Sequence, residues 1–250
     1  KSGGFNLDFV GANGLDAGVG FDKETVDSYE LGLKGTLLDR RVMFSLATFQ
    51  SNYHDYQVNQ FVDLGEGRSS ISIRNAAEVE TKGLEAEFTL RPSERWQLMA
   101  AVGLLDGEFS SFLGGGTGGA DASGKTLPGI SDVSLSLGVQ YYYPVPALDA
   151  ELLVRVDYSH RDDYYTSVDN EKSRTLLSGH SVQYGWVDDI DLVNARLGLE
   201  SSNGDWSAAL WARNLTNQQY LSTTSRDFFG TINHFKGTPR TYGVELQRNF

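Results

Sequence analysis

Apolar and polar side chains alternate along stretch after stretch of this chain, and the connections between those stretches are short and long in strict turn. A side-chain period of two is the mark of a β-strand whose two faces meet different environments, because successive Cβ atoms point to opposite sides. In residues 83–91, Leu84, Ala86, Phe88 and Leu90 share one face, opposite Gly83, Glu85, Glu87, Thr89 and Arg91. Val133, Leu135, Leu137, Val139, Tyr141 and Tyr143 repeat the pattern against Asp132, Ser134, Ser136, Gly138 and Gln140. About nine strands follow from this reading, at 26–37, 42–61, 78–90, 95–109, 131–143, 149–160, 191–200, 205–215 and 238–250.

The connections at 38–41, 91–94, 144–148 and 201–204 are tight, whereas those at 62–77, 110–130, 161–190 and 216–237 are long and polar. A soluble β-sandwich has no reason to sort its connections by parity. An antiparallel transmembrane barrel does, with short turns on one side of the membrane and extended loops on the other. Trp96, Tyr141, Tyr143 and Trp206 sit beside short turns on the apolar face, where an interfacial aromatic girdle belongs. Abundant Gly (28), scarce Pro (5) and 12 Tyr with 13 Phe suit many strands joined by turns. No apolar run approaches the roughly 18 residues that a membrane-spanning helix needs. The expected fold is therefore all-β, an antiparallel transmembrane β-barrel segment.

Composition narrows the function by exclusion. A net charge of −12 and the absence of a Lys/Arg cluster argue against nucleic acid as a partner. Without cysteine there is no disulfide framework and no thiolate metal site. Four histidines, His54, His160, His180 and His234, lie in no recognisable catalytic motif, and no catalytic residue is assigned. His160 with Asp162 and Asp163 has the composition of a metal cluster, but exposed loop charges explain it more simply, so neither metal nor cofactor is expected. The run Gly114 to Gly119 lacks the following Lys-Ser/Thr of a phosphate loop and reads as a flexible loop. The opening Lys1-Ser2-Gly3-Gly4 carries no secretory signal, so the start is expected to be an interior point of a longer protein.

The final strand alternates Tyr242, Val244, Leu246 and Phe250 on one face. It resembles the C-terminal assembly signal of outer-membrane proteins, although Arg248 stands where that signal is usually apolar; a long Arg near the interface can snorkel. Arg213-Asn214-Leu215-Thr216-Asn217-Gln218-Gln219-Tyr220, Gly237-Thr238-Pro239-Arg240-Thr241-Tyr242-Gly243, Asn75-Ala76-Ala77 with Thr81-Lys82-Gly83-Leu84-Glu85-Ala86-Glu87, and Tyr29-Glu30-Leu31-Gly32-Leu33-Lys34-Gly35 resemble, in order and spacing, segments of the TonB-dependent receptors. Physically, Pro239 can open a strand and Gly83 and Gly243 leave room in the lumen.

The resemblance implies the last nine strands of a barrel of about 22, with residues 1–250 as its C-terminal part and the plug domain absent from this chain. Two open edges would remain, so the segment is not expected to close alone. It implies residence in the bacterial outer membrane and active import of a scarce nutrient. A ferric siderophore comes first, with vitamin B12, haem or oligosaccharide as rivals; a passive porin or a barrel hydrolase is the reading of another class. Implied partners are outer-membrane lipid, the TonB complex acting through the missing plug, the barrel-assembly machinery at the C-terminal strand, and a small-molecule cargo such as an iron chelate. Loops on a rigid scaffold carry recognition. Tyr164, Tyr165, Tyr184, Trp186, Arg226, Phe228, Phe229 and His234 are accordingly the candidate cargo contacts, the aromatics for stacking and Arg226 for an anionic chelate.

Overall fold

The computed structural model of the chain describes residues 1–6, 20–65, 68–176, 178–226 and 231–249. Among these, nine strands form one antiparallel sheet: β1 (Thr25–Leu37), β2 (Val42–Gly65), β3 (Arg68–Ser93), β4 (Trp96–Ser111), β5 (Val133–Val145), β6 (Ala150–Arg161), β7 (Ile190–Ser201), β8 (Trp206–Arg213) and β9 (Thr241–Arg248). Each pairs with its sequence neighbour, giving an uninterrupted meander from β1 to β9. The outer edges of β1 and β9 pair with no strand among the described residues. No helix is long and apolar enough to cross a membrane.

Register carries the alternation across the whole sheet. Leu98 pairs with Leu90 on one side and Val139 on the other, Val139 with Val156, and Val156 with Ala195. The row then continues to Ala212 and Tyr242, so the apolar residues of β3 to β9 share one face. That face is not packed against protein: Leu84, Phe88, Leu137, Val139, Val156, Leu197 and Leu210 are all exposed. Exposed apolar surface of this extent needs a covering medium. On β5 the outward apolar set runs from Val133 to Tyr143. Ten steps of about 3.4 Å, tilted by roughly 45°, rise about 24 Å, the height of the apolar band on membrane barrels. Trp96 and Tyr141 stack with ring centroids 4.5 Å apart at the short-turn end of the band.

The opposite face is polar and internally paired. Arg155 donates from Nε to Asp157 Oδ2 at 2.8 Å, and Arg196 bridges to Glu245 at 3.0 Å. Gly83 and Gly243 serve this face differently from the expected vacant room. A Cβ on Gly83 would stand 2.7 Å from Phe49 Cζ, and one on Gly243 would stand 2.7 Å from Trp211 Cζ2. Rings from the neighbouring strands lie over both glycines and fill the space.

The strand ends of this sheet agree with the sequence reading to within a few residues, but the long connections need correction: those expected at 161–190 and 216–237 carry short antiparallel pairs, Tyr164–Tyr165 with Trp186–Val187, Ser173–Thr175 with Ser181–Gln183 and Leu221–Arg226 with Ile232–Lys236. The long loop expected at 62–77 is a continuation of β2 and β3, which stay paired as far as Gly65 with Arg68. Register shifts between Tyr53 and Gln57, around Asp55 with φ +55°, mark where this hairpin leaves the sheet proper. Beyond the apolar band a strand needs no greasy face, so polarity alone does not argue against it. The tight connections all lie at one end of the sheet; the long ones gather at the other.

Candidate functional site

The long-loop end is built from three segments that are tied into one cap. Residues 112–132 follow β4, 162–189 follow β6, and 214–240 join β8 to β9. Loop backbone must find hydrogen-bond partners as fully as strand backbone does. Asp169 accepts the Thr117 N–H at 2.7 Å and the Thr117 hydroxyl, while Lys125 Nζ donates to the Asp169 carbonyl at 3.0 Å. Asn170 bonds Thr126 twice, through Oδ1 at 2.8 Å and Nδ2 at 3.0 Å. Arg161 donates to Ser131 Oγ and to the Gly129 carbonyl, whose own N–H donates to the Tyr165 carbonyl. The Gly114 to Gly119 run, expected as a flexible loop, is a defined turn: Gly114, Gly118 and Gly119 take φ of +75°, +69° and +81°, and the run is anchored at Asp169. Beneath it, Ala77, Val79, Phe109, Phe112 and Ala122 form a buried apolar cluster.

Ionisation of Asp169 is opposed by its burial, but the two Thr117 bonds and the charges of Lys125 and Arg174 hold its carboxyl below the ordinary 3.8. A carboxyl depressed in the folded state stabilises fully above the unfolded value and loses that contribution as pH falls through the folded one. Asp169→Ala in the full-length protein is therefore expected to lower hydrogen-exchange protection at Thr117 and Thr126 by about tenfold at neutral pH. Wild type should reach the same state only below about pH 4. Unchanged protection in the variant would show that the two loops are held together by something else.

The second seam joins 162–189 to 214–240. The Tyr164 hydroxyl donates to the Ser222 carbonyl at 2.6 Å, and Thr166 and Thr224 share a hydroxyl bond of 2.7 Å. His234 Nε2 lies 2.8 Å from the Gln183 carbonyl. This packing decides what the expected contact residues can do. Tyr164, Tyr184 and Trp186 are buried, each with a cation over the ring: Arg161 from the end of β6 at 4.0 Å, and Arg174 and Lys172 from the loop itself at 4.3 Å and 3.6 Å, from the respective centroids. Tyr165 is half-buried against Trp186, with centroids 4.7 Å apart. Arg226 and His234 are exposed, whereas Phe228 and Phe229 lie outside the described residues. Three of the eight expected cargo contacts thus hold the cap together instead of facing outward. His160, weighed as a metal ligand, has both ring nitrogens engaged by carboxylates, Asp191 at 2.9 Å and Asp162 at 3.0 Å.

A cavity of about 670 Å³ opens between these two loops, lined by Gln183, Asp188, Asp189, Asn217 to Leu221, Lys236, Gly237 and Pro239. Two of the sequence motifs converge on it, and the residue that joins them is Asn214. It is buried, adopts φ +49°, and its Nδ2 donates to the carbonyls of Gln218 at 2.9 Å and Thr238 at 3.1 Å. Its Oδ1 accepts the Gln218 N–H at 2.9 Å. One side chain thereby closes the base of a loop of more than twenty residues. Asn75 plays the matching part on the other side of the sheet, bonding Asp22 through Oδ1 and both Asp22 and Asp55 through Nδ2. The motif recognised in the sequence is a set of loop clamps; the clamping itself was not legible there, though an Asn in a turn just beyond a strand is the usual signal for one.

The sequence matches the family described as "TonB dependent receptor-like, beta-barrel" over residues 3–215. The chain belongs to the TonB-dependent receptor family. Solved structures of similar fold include the ferric yersiniabactin uptake receptor FyuA from Yersinia pestis, with a TM-score of 0.76 and 18% identity over 100% of this chain and 33% of that one. The siderophore receptor PiuA from Acinetobacter baumannii matches at 0.67 and 18%, over 93% of this chain and 29% of its own. The ferripyoverdine receptor of Pseudomonas aeruginosa matches at 0.64 and 20%, over 92% and 28%. This TonB-dependent receptor chain spans about a third of the length of such proteins and corresponds to the C-terminal part of their barrels. Its place is the bacterial outer membrane, which supplies the covering medium that the apolar face demands. The family and its structural neighbours are transporters, not enzymes.

Proposed function

We propose that this chain is the C-terminal barrel wall and part of the outer cap of an active-transport receptor for a scarce nutrient, first of all a ferric siderophore. Uptake would be energised through TonB acting on a plug domain. The observation that carries the reading is the correspondence of the whole chain to the barrel of a ferric yersiniabactin uptake receptor. The receptor would act without chemistry on the cargo: the cap admits and holds it, and movement of the plug releases it inward. Tyr165, Arg226 and His234 remain the candidate contacts that the loop packing leaves at least partly accessible. Phe228 and Phe229 are retained from the sequence reading.

At the membrane, the outward face of β3 to β9 contacts lipid. The alternating Tyr242, Val244 and Leu246, exposed on the outward edge of β9, are offered as the strand recognised by the assembly machinery. Phe250, the last member of that set, lies outside the described residues. Growth of a deletion strain on a panel of iron chelates, vitamins and glycans tests the cargo class. Loss of growth on one iron chelate is the expected result. Unchanged uptake of every iron source would sink the siderophore reading, and a defect confined to a vitamin, haem or a glycan would move the assignment there.

A further inference from the structure

The cavity between the last two loops differs in its chemistry from a site for a polyanionic chelate. It is lined by two carboxylates, Asp188 and Asp189, against one ammonium, Lys236. Asp188 is engaged by the Trp186 indole N–H and by Gln183 Nε2, both at 3.2 Å. Gln218 is engaged at both ends of its amide, Oε1 accepting the Asp191 N–H at 2.7 Å and Nε2 donating to the Asp189 carbonyl at 3.4 Å. The Asp189 carboxylate, the Gln219 amide, the Tyr220 hydroxyl and the Lys236 ammonium have no hydrogen-bond partner among the described residues. An apolar wall completes the cavity. Tyr220 is pinned against Gly237, where a Cβ would lie 2.1 Å from its ring, and Leu221 and Pro239 stand beside it. Arg226, the residue expected to pair with an anionic chelate, does not line this space.

The surroundings reinforce the sign. Burial raises the Asp163 carboxyl above its ordinary value; Lys172 opposes the shift, and the negative charges of Asp162, Asp132 and Asp189 add to it. Within the cavity itself two carboxylates stand against one ammonium, so a polyanion entering it meets a net repulsion that an ammonium or a hydroxyl-rich group does not.

We infer that this cavity selects cargo bearing a positively charged or hydroxyl-rich arm, with Asp189 as the residue that receives it, and discriminates against polyanionic chelates. The inference rests on the receptor reading above and narrows its cargo. An ammonium of the cargo would pair with the Asp189 carboxylate, hydroxyls would bond Gln219, the Tyr220 hydroxyl and Asn217, and an aliphatic stretch would lie along Tyr220 and Pro239.

The test uses the full-length receptor in detergent and three probes: a ferric tris-hydroxamate with a free ammonium, a neutral ferric tris-hydroxamate, and a ferric tris-catecholate. Affinities follow from fluorescence quenching at low and high salt. The cationic complex should bind about tenfold or more tighter than the tris-catecholate, with a preference that shrinks as salt rises. Asp189→Asn should weaken the cationic complex by about three- to tenfold, the scale of one surface charge a few ångströms away, without weakening the tris-catecholate. Lys236→Gln should shift the preference further toward the cation. Equal or tighter binding of the tris-catecholate to wild type overturns the inference while leaving an iron receptor in place. So does an affinity ratio unmoved by Asp189→Asn and by Asp188→Asn. Binding of no ferric complex overturns the iron-cargo reading, and this inference with it.

Discussion

Replacing Leu137 by Arg should cost the full-length receptor about 2–4 kcal/mol of folding stability in a bilayer, whereas Ser136→Arg, one residue away, should cost under about 1 kcal/mol. The two positions are neighbours on β5 and face opposite ways. Leu137 pairs with Ala100 and Tyr158, in the middle of the outward apolar set, and is exposed where protein would otherwise have to cover it. A guanidinium there is too far from either interface to reach water without deforming the bilayer. Ser136 pairs with Ala101 and Ser159 on the polar face, where an added charge stays hydrated. Urea titration of receptor refolded into vesicles measures both variants. Equal losses would mean that the two faces are wrongly assigned.

The alternation in the sequence reports a difference between environments, and it is legible only where that difference exists. Within the apolar band every strand has one apolar face and one polar face, so Leu84 to Leu90, Val133 to Tyr143 and their partners could be read directly. Above the band one-sided packing becomes local: Tyr56 and Val58 of β2 and Ala77 of β3 lie in or against the buried cluster of Phe109 and Phe112, contacts that no band-long alternation announces. The continuation of β2 and β3 through 62–77 was consequently read as a loop, although backbone pairing persists there. Loop aromatics posed the opposite difficulty. Tyr164, Tyr184 and Trp186 carry the composition of a binding surface, and nothing local announces that Arg161 at the end of β6 and Arg174 and Lys172 of the loop cover their faces. The bonds from Thr117 to Asp169 and from Tyr164 to Ser222 join residues more than fifty positions apart. No short-range periodicity encodes such pairs. What the sequence did reveal about the cap was its motif residues, because a clamp needs a particular side chain at a particular place.

Asn214 gives the sharpest test of that last point. Asn214→Ala should destabilise the receptor by about 2–4 kcal/mol, with the loss concentrated in the 214–240 loop. Three part-buried hydrogen bonds disappear at once, leaving the Gln218 N–H and the carbonyls of Gln218 and Thr238 without the partner that the buried Asn214 side chain supplied. The left-handed backbone at φ +49° adds roughly 1 kcal/mol for alanine that asparagine largely avoids. Two further substitutions separate these contributions. Asn214→Gly accepts the backbone conformation but makes none of the bonds, so it should recover only the smaller part. Asn214→Asp keeps the acceptor for the Gln218 N–H but sets a carboxylate oxygen against the carbonyls of Gln218 and Thr238, so it should lose at least as much stability as Asn214→Gly. Urea unfolding gives the total, and hydrogen exchange across 214–240 gives its location. Besides the Asn214 bond to the Thr238 carbonyl, the two motif segments meet where the Gly237 N–H donates to the Tyr220 carbonyl at 2.9 Å and the Arg240 N–H to Asn217 Oδ1 at 3.4 Å. A loss under about 0.5 kcal/mol in Asn214→Ala would therefore mean that the clamp is incidental and that these bonds, with β8 and β9, hold the loop ends in place.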